Sequence, residues 1–222
     1  IRTPLTSIIG FAEVLGTEAR ELEASDPLEN YAAMIEQSGK RLLKTLDGVL
    51  NLSRLQSGEM TLDASPVCLD EEAERAAEEL RPKAEDKNLD LRVEKAPAAA
   101  AANEGGVQIV ARNLISNAIK YTEDGGEITV RTYLDGGTTV VLEVEDTGIG
   151  MEPATAEALF EPFRQASEGL GREYEGSGIG LAVTREAVQQ MGGTIEVDTE
   201  EGKGSCFTVR LPKASGEALS RS

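Results

Sequence analysis

The stretch Asn113-Leu114-Ile115-Ser116-Asn117-Ala118-Ile119-Lys120-Tyr121 decides the fold of the second half of the chain. It closes an amphipathic helix predicted from Val107 to Tyr121, on which Asn113, Asn117 and Lys120 share one face at spacings of four and three. Two carboxamides and an ammonium on a common face suit a hydrated magnesium polyphosphate, because amide oxygens are hard metal ligands and lysine balances phosphate charge. Such residues are more often simply solvated, so this helix needs support from other segments.

A second segment, Glu145-Asp146-Thr147-Gly148-Ile149-Gly150, follows a predicted strand. Asp146 then stands at a strand end, where its carboxylate could accept a hydrogen bond from an exocyclic amine. Gly148 and Gly150 would let the backbone approach a ring closely. Taken alone, the segment is more simply explained as an acidic turn.

The third and fourth segments are an aromatic pair and a glycine cluster. Phe160-Glu161-Pro162-Phe163 is interpreted as two aromatic side chains that anchor the base of a lid. Gly169, Gly171, Gly176, Gly178 and Gly180 fall within twelve residues, and the last three form Gly176-Ser177-Gly178-Ile179-Gly180 before a helix that begins at Leu181. Backbone N–H groups at such a helix start form a phosphate cradle, and the preceding stretch is expected to be a lid.

Helix and strand signals alternate through the rest of this half, from residue 63 to residue 213. Alternating apolar residues predict strands near 89–93, 128–130, 140–144, 195–197 and 207–211. Ala98–Ala102 is left open between strand and loop, and both Asp124-Gly125-Gly126 and Asp135-Gly136-Gly137 are predicted as hairpin turns. The mixture of helices and antiparallel strands predicts an α/β sandwich with helices packed on one face of a sheet, followed by a disordered tail at 214–222.

The first half, residues 1–62, has helical periodicity from Ile1 to about Gln56. Leu28, Ile35, Leu42 and Val49 recur every seventh residue, and Ser25-Asp26-Pro27 separates two long helices. The two helices are expected to form an antiparallel hairpin, which completes a four-helix bundle by forming a homodimer. The alternative is that the stripe packs within one chain.

Composition excludes several functions. The chain has 222 residues with 40 acidic and 22 basic side chains, and a net charge of -18 disfavours a nucleic-acid partner. No apolar run approaches the roughly 20 residues of a membrane span, so no membrane contact is expected of this segment. Two distant cysteines and no histidine argue against a zinc site and favour a reducing, cytoplasmic setting. The absence of histidine excludes any mechanism that needs an imidazole from this chain.

In order and spacing, the four segments resemble the N, G1, F and G2 boxes of sensor histidine kinases. Gly193-Thr194-Ile195 together with Gly202-Lys203-Gly204-Ser205 is similar to the closing strand pair of that family. Ile1–Ile8 is similar to the segment that directly follows the phosphoacceptor His of the dimerisation and phosphotransfer helix. The resemblance thus covers essentially the whole chain, with a phosphotransfer hairpin before an ATP-binding domain.

The resemblance implies a role for each matching residue. Asn117 would ligate magnesium, with Asn113 and Lys120 near the phosphates, Tyr121 near the nucleotide, and Asp146 reading the adenine amine. The pocket and lid would be shaped by Gly148, Gly150, Gly176, Ser177, Gly178, Gly180 and Leu181.

Two further assignments are less determined by the resemblance. Arg164 or Arg172 would approach the γ-phosphate, without a basis for choosing between them. Thr3 resembles the residue that orients water in the reverse, phosphatase reaction, although a threonine in a first helical turn is as often a simple cap.

The implied function is the cytoplasmic catalytic core of a two-component sensor histidine kinase, in a full-length protein whose membrane association is left open. With ATP and magnesium it would phosphorylate a histidine and pass the phosphoryl group to an aspartate of a response-regulator receiver domain. That histidine is expected two positions before Ile1, so autophosphorylation is not expected of these 222 residues, either because the sequence starts after it or because the kinase is degenerate.

Two alternatives belong to other functional classes. Gyrase-type and heat-shock ATPases carry a water-activating Glu four residues before the magnesium Asn, and that position is Asn113 here. Phosphoryl transfer to a positioned nucleophile is therefore favoured over hydrolysis. A non-catalytic ATP-binding dimeric scaffold is the other alternative.

Overall fold

The computed structural model describes residues 8–15, 17, 26–59, 62–164 and 178–215. The chain divides into two compact units between Asn51 and Leu52. This division falls inside a helix, upstream of the domain boundary expected after residue 62. Each unit is described by itself below.

The first unit is a helical hairpin, as predicted. Residues 8–15 form α1, and α2 runs over Asp26–Gln56, with its last turn belonging to the second unit. Ile9 and Ala12 of α1 are buried, and Lys40 Nζ of α2 lies 3.2 Å from Glu13 Oε1 of α1. These contacts hold the two helices together.

The heptad stripe of α2 is exposed within this unit. Ile35 is 46% exposed and Leu42 is 56% exposed, and a shallow apolar groove runs between them and Ile8 of α1. In the part of the hairpin that the structure describes, the stripe therefore does not serve as the internal packing face.

Within its described residues, the second unit contains seven strands in two sheets. They are β1 (Ser65–Cys68), β2 (Asp90–Lys95), β3 (Ala99–Ala102), β4 (Glu127–Asp135), β5 (Thr139–Asp146), β6 (Thr194–Glu200) and β7 (Gly204–Pro212). The main sheet has the order β2-β4-β5-β7-β6, and β1 pairs with β3. All neighbouring pairs are antiparallel except β2 and β4, which are parallel.

Helices cover one face of the main sheet. They are α3 (Leu69–Glu85), α4 (Glu104–Tyr121), α5 (Pro153–Ala156), a 3-10 helix (Glu157–Phe160) and α6 (Gly180–Gln190). The core between α3, α4, α6 and the sheet includes Leu114 and Ile115 of α4, and Val130 of β4 with Leu142 of β5. The α/β sandwich is thus confirmed. Among the described helices, none is long and apolar enough to cross a bilayer.

The alanine-rich segment forms a strand. Ala100 and Ala102 of β3 are fully buried, and small side chains there let β3 and β1 lie close to the core. The N–H of Ala214 donates to the carbonyl of Ala99 at 2.9 Å, and Ala214 is buried. The ordered chain therefore continues past residue 213, where the tail was expected to start, and residues 216–222 of that tail lie outside the described residues.

Helix α4, which carries the Asn113 segment, begins three residues earlier than predicted. Its N-cap is Asn103, whose side chain accepts a hydrogen bond from the N–H of Gly106 at 3.1 Å. A Cβ atom on Gly106 would lie 2.9 Å from Met191 Sδ, so glycine permits the close packing of α4 on the end of α6. The predicted start at Val107 missed this turn because glycine has low helix propensity.

The other end of α4 is closed by a lysine from a distant segment. Lys87 Nζ donates to the carbonyls of Ile119 at 3.0 Å and of Thr122 at 2.6 Å. A positive charge at this end also complements the helix dipole. The turn that follows, Asp124-Gly125-Gly126, joins α4 to β4, so its prediction as a hairpin turn is wrong, whereas Asp135-Gly136-Gly137 does join the β4–β5 hairpin.

Candidate functional site

Asp146 is the buried carboxylate of the site. It ends β5, opposite Ser205 of β7, and is only 6% exposed. Burial raises the pKa of Asp146 to about 6, while the N–H of Gly148, 2.9 Å from Oδ1, and the N–H of Ser205 act against that rise. An ionised carboxylate has about four acceptor positions, so Asp146 retains capacity for a further donor.

The loop after Asp146 is held tightly against α4. The N–H of Ile149 donates to the carbonyl of Tyr121 at 3.1 Å, and a Cβ atom on Gly148 would lie 2.4 Å from that carbonyl oxygen. Gly150 has a φ of +59°, and a Cβ there would lie 2.0 Å from the carbonyl oxygen of Glu200. Both glycines therefore permit close approach of the protein's own backbone, a reason that differs from the predicted approach of a ring.

The predicted face of α4 is assembled beside this loop. Asn113, Asn117 and Lys120 are all half-buried. Lys120 Nζ lies 2.6 Å from Tyr121 Oη and 4.1 Å from the centre of the Tyr121 ring, and burial raises the pKa of Tyr121. A cation and an aromatic ring thus lie at the end of α4 that faces the Gly148 loop.

The two asparagines of this face differ in their contacts. Asn113 Nδ2 donates to the carbonyl of Gly180 and to Thr184 Oγ1, both at 3.2 Å, which ties α4 to the first turn of α6. Asn117 makes no side-chain hydrogen bond to any of the residues that the structure describes. The carboxamide of Asn117 is thus available to a ligand, whereas the amino group of Asn113 is already used.

The glycine-rich segment is partly described. Gly180 is the first residue of α6, and Leu181 packs against the core. The N–H of Phe163 donates to the carbonyl of Gly178 at 2.9 Å, which joins the aromatic segment to the start of α6. Thr3, Arg172, Gly176 and Ser177, all singled out in the sequence, lie outside the described residues.

Both aromatic side chains of the pair were predicted to be anchored, and only one of them is buried. Phe160 is buried in the core, but Phe163 is 63% exposed and has a φ of +67°. Of the two rings, that of Phe160 is therefore anchored in the core and that of Phe163 is not. Arg164 is exposed, and its Nε donates to Glu161 at 3.2 Å.

A set of hydroxyl contacts that the sequence does not predict lies behind the Gly148 loop. Thr199 of β6 and Ser205 of β7 are buried, and their hydroxyl oxygens lie 2.9 Å apart. The N–H of Met151 donates to Thr199 Oγ1 at 3.1 Å. Ser205 belongs to the Gly202–Ser205 motif, and the alternation of Ile195 and Val197 places Thr199 on the inward face of β6, but neither signal predicts the contact between the two hydroxyl groups.

Two family models match the chain. Residues 102–215 match the model of histidine kinase-, DNA gyrase B- and HSP90-like ATPases. Residues 1–58 match the His Kinase A (phospho-acceptor) domain. The first match covers half of the chain, and the second covers the helical hairpin.

Individual relatives agree with these matches. The chain is 34% identical over 221 residues to an uncharacterised sensor-like histidine kinase of Rhizobium meliloti. The aligned region covers 98% of this chain and 42% of the relative. It is 34% identical to the sensor protein GacS of Pseudomonas syringae, over 96% of this chain and 24% of GacS. Among solved structures, full-length ShkA in complex with AMPPNP superposes with a TM-score of 0.76 at 28% identity, over 97% of this chain and 44% of ShkA.

The fold, the site around Asp146 and both family matches define a nucleotide-type α/β sandwich that follows a phosphoacceptor-type hairpin. The chain belongs to the histidine kinase-, gyrase B- and HSP90-like ATPase family and, within it, to the sensor histidine kinases of two-component signalling. It spans less than half the length of these relatives.

Proposed function

We propose that this chain is the catalytic core of its histidine kinase, which binds ATP around Asp146 and passes the γ-phosphoryl group to a histidine. The observation that carries this proposal is the buried carboxylate of Asp146, which ends a strand beside the Gly148 loop and still has acceptor capacity. In support, the ShkA structure holds AMPPNP, an analogue of ATP, in a protein of the same architecture.

Adenine fits the Asp146 end of the site. A carboxylate held by backbone N–H groups presents only acceptors, and the exocyclic amine of adenine is a donor. Guanine carries a carbonyl oxygen at the corresponding ring position, and two acceptors facing each other repel. Asp146 would therefore bind and orient adenine and discriminate against guanine.

Magnesium and phosphate fit the α4 face. The carboxamide oxygen of Asn117 is a hard ligand that no described residue occupies, and Lys120 places an ammonium on the same face. Magnesium held there would neutralise charge on the phosphate oxygens during transfer. The first-turn N–H groups of α6, beginning at Gly180, would bind phosphate oxygens at the positive end of that helix.

The same face favours transfer over hydrolysis. Asn113 cannot take a proton from water, and Glu104, at the far end, is the only acidic residue of α4. The acceptor imidazole nitrogen would bond to the γ-phosphorus as the bond to the bridging oxygen breaks and ADP leaves. The phosphoryl group would then move from the imidazole to an aspartate carboxylate of a receiver domain.

The hairpin would supply the dimer. Exposed apolar side chains at Ile35 and Leu42 are unusual on a solvated helix, and a second copy of the same stripe would cover them in a four-helix bundle. Light scattering should then report twice the chain mass of 23.6 kDa. Replacement of both residues by Asp should give monomers, whereas Leu134→Asp, at an exposed position of β4, should leave the dimer intact.

Calorimetry on the whole chain tests the nucleotide site. Asp146→Asn should weaken magnesium–ATP binding by about tenfold or more, because the amide presents an N–H group to the adenine amine. The matched control is Glu145→Gln, an exposed neighbour that pairs with Arg131 on the other face of the sheet. Equal affinities for wild type and Asp146→Asn would contradict the assignment, and binding without phosphotransfer when the acceptor is present would favour a scaffold.

A further inference from the structure

The hydroxyl group of Thr199 lies at the junction of three backbone segments. The N–H of Met151, in the loop after Asp146, donates to Thr199 Oγ1 at 3.1 Å. The carbonyl oxygen of Gly204 lies 3.0 Å from Thr199 Oγ1, and Ser205 Oγ lies 2.9 Å from it. Thr199 therefore joins β6, the start of β7 and the Gly148 loop through one oxygen atom.

The donor and the acceptor positions of the Thr199 hydroxyl group all have partners. A threonine hydroxyl has one proton and two acceptor positions. If the proton goes to the Gly204 carbonyl, Thr199 Oγ1 accepts from the Met151 N–H and from the Ser205 hydroxyl, and every group in the cluster is satisfied. Thr199 and Ser205 are both buried, and fully satisfied buried networks rigidify their surroundings.

Backbone contacts bring the same segments together. The N–H of Gly202, in the turn between β6 and β7, donates to the carbonyl of Ile149 at 2.7 Å. A Cβ atom on Gly204 would lie 1.9 Å from the carbonyl oxygen of Asp146, so the start of β7 is pressed against the end of β5. The segments tied by Thr199 are thus the ones that carry the Gly148 and Ser205 N–H groups facing Asp146.

We propose that Thr199 is a positioning residue, which holds the two N–H donors of Asp146 in place and thereby sets the preference of the pocket for adenine over guanine. This inference rests on the proposed nucleotide site. Thr199 acts through Asp146 and does not itself contact the base. If the tie is removed, the carboxylate loses its fixed orientation, and the discrimination between a donor and an acceptor at the base weakens.

Thr199→Val tests this role, because valine keeps the shape of threonine and loses the hydroxyl. Thr199→Ser retains the hydroxyl and should behave as wild type, and Thr194→Val, at an exposed position of the same strand, is the matched control. Ser205→Ala removes the other hydroxyl of the pair and serves as a second variant if Thr199→Val does not fold.

Two readouts are expected to move together. In the ligand-free chain, carboxyl-carbon NMR should show a higher pKa for Asp146 in Thr199→Val and in Ser205→Ala, because loosened N–H donors no longer stabilise the carboxylate. Calorimetry with magnesium–ATP and magnesium–GTP should show the ratio of the two affinities falling by about tenfold, the effect of one typical hydrogen bond.

The outcomes separate this inference from the proposed function. If wild type binds neither nucleotide, the proposed function fails, and the NMR titration still tests whether Thr199 controls Asp146. An unchanged or lowered pKa of Asp146 in both variants overturns the inference, as does an equal loss of affinity for ATP and GTP. A purely structural threonine would produce that equal loss.

Discussion

The side-chain amide of Gln190 donates a hydrogen bond to the main-chain carbonyl of Leu55, which joins the end of α6 to the last turn of α2. The side chain of Leu55 is only 1% exposed and is part of the core of the second unit. The last turn of α2 is therefore structurally a piece of the α/β unit, although its sequence continues the periodicity of the hairpin.

Leu55→Ala should lower the free energy of unfolding of the second unit by about 2–4 kcal/mol, because it removes buried methyl groups and leaves a cavity. Leu134→Ala is the control, since Leu134 lies on β4 in the same unit and is 43% exposed. The chain contains no tryptophan, so urea denaturation of both variants is followed by circular dichroism. Equal losses would show that Leu55 is not part of this core.

Thr132→Val should raise the free energy of unfolding by about 1 kcal/mol. Thr132 Oγ1 is buried in β4 and has no hydrogen-bond partner among the described residues, so valine removes an unsatisfied polar atom without a change of shape. Thr184→Val provides the contrast, because Thr184 Oγ1 donates to Gly180 and accepts from Asn113. Thr184→Val should destabilise, and the same sign for both variants in denaturation would contradict this account.

The two Asp-Gly-Gly segments show how far the sequence could predict the fold. Both indicate a turn, and both are turns, but one follows a helix and the other a strand. The residues of a turn encode its local backbone angles and not the elements that it joins. The helical hairpin and the order of helices and strands were predictable because periodicity is local, whereas the assignment of Leu55 to the second unit depends on residues more than a hundred positions away.

Some residues of the candidate site could likewise be predicted from the sequence, and others could not. Asp146 with its two glycines, and Asn113 with Asn117, form short segments that the resemblance to the family identifies as candidates, although each segment taken alone has a simpler explanation. Thr199 could not be recognised, because its partner Met151 is 48 residues distant and the two meet only when β6 lies beside β7. The structure also assigned Asn113 a contact with α6 that the composition of α4 does not indicate.

Asp146 should make the stability of the ligand-free chain depend on pH. Its pKa is raised from 3.8 to about 6, so the folded state binds more protons than the unfolded state between these values, and stability falls as pH rises through this window. Relative to Asp146→Asn, wild type should lose about 2–3 kcal/mol between pH 4 and pH 7. Urea denaturation of both proteins across this range measures the difference, in which the general effect of the net charge cancels.

If the difference in free energy of unfolding between wild type and Asp146→Asn does not change between about pH 4 and pH 7, burial does not raise the pKa of Asp146. Glu145→Gln is the control and should leave most of the pH dependence of wild type in place, because burial is the largest cause of the raised pKa of Asp146 and the charge of Glu145 is the smallest. We expect Asp146→Asn to be more stable than wild type without ligand and to bind ATP more weakly. Together these results would mean that the buried carboxylate lowers the stability of the ligand-free chain and is needed for binding.

The absence of histidine gives the most direct test of phosphoryl transfer. The 222 residues contain no imidazole, so with γ-labelled ATP they should bind nucleotide and yet form no acid-labile phosphohistidine. Extension of the chain before Ile1 by a His and an acidic residue, as in the family pattern, should restore labelling, because the acidic side chain can orient the ring and take its proton. Extension by Ala and the same acidic residue is the matched control, and acid treatment of each product distinguishes phosphohistidine from stable phosphoesters.

Labelling of the unextended chain would contradict the mechanism. An extended chain that binds ATP and stays unlabelled would instead support a nucleotide-binding scaffold, since a complete pocket and a positioned acceptor would then be insufficient for transfer.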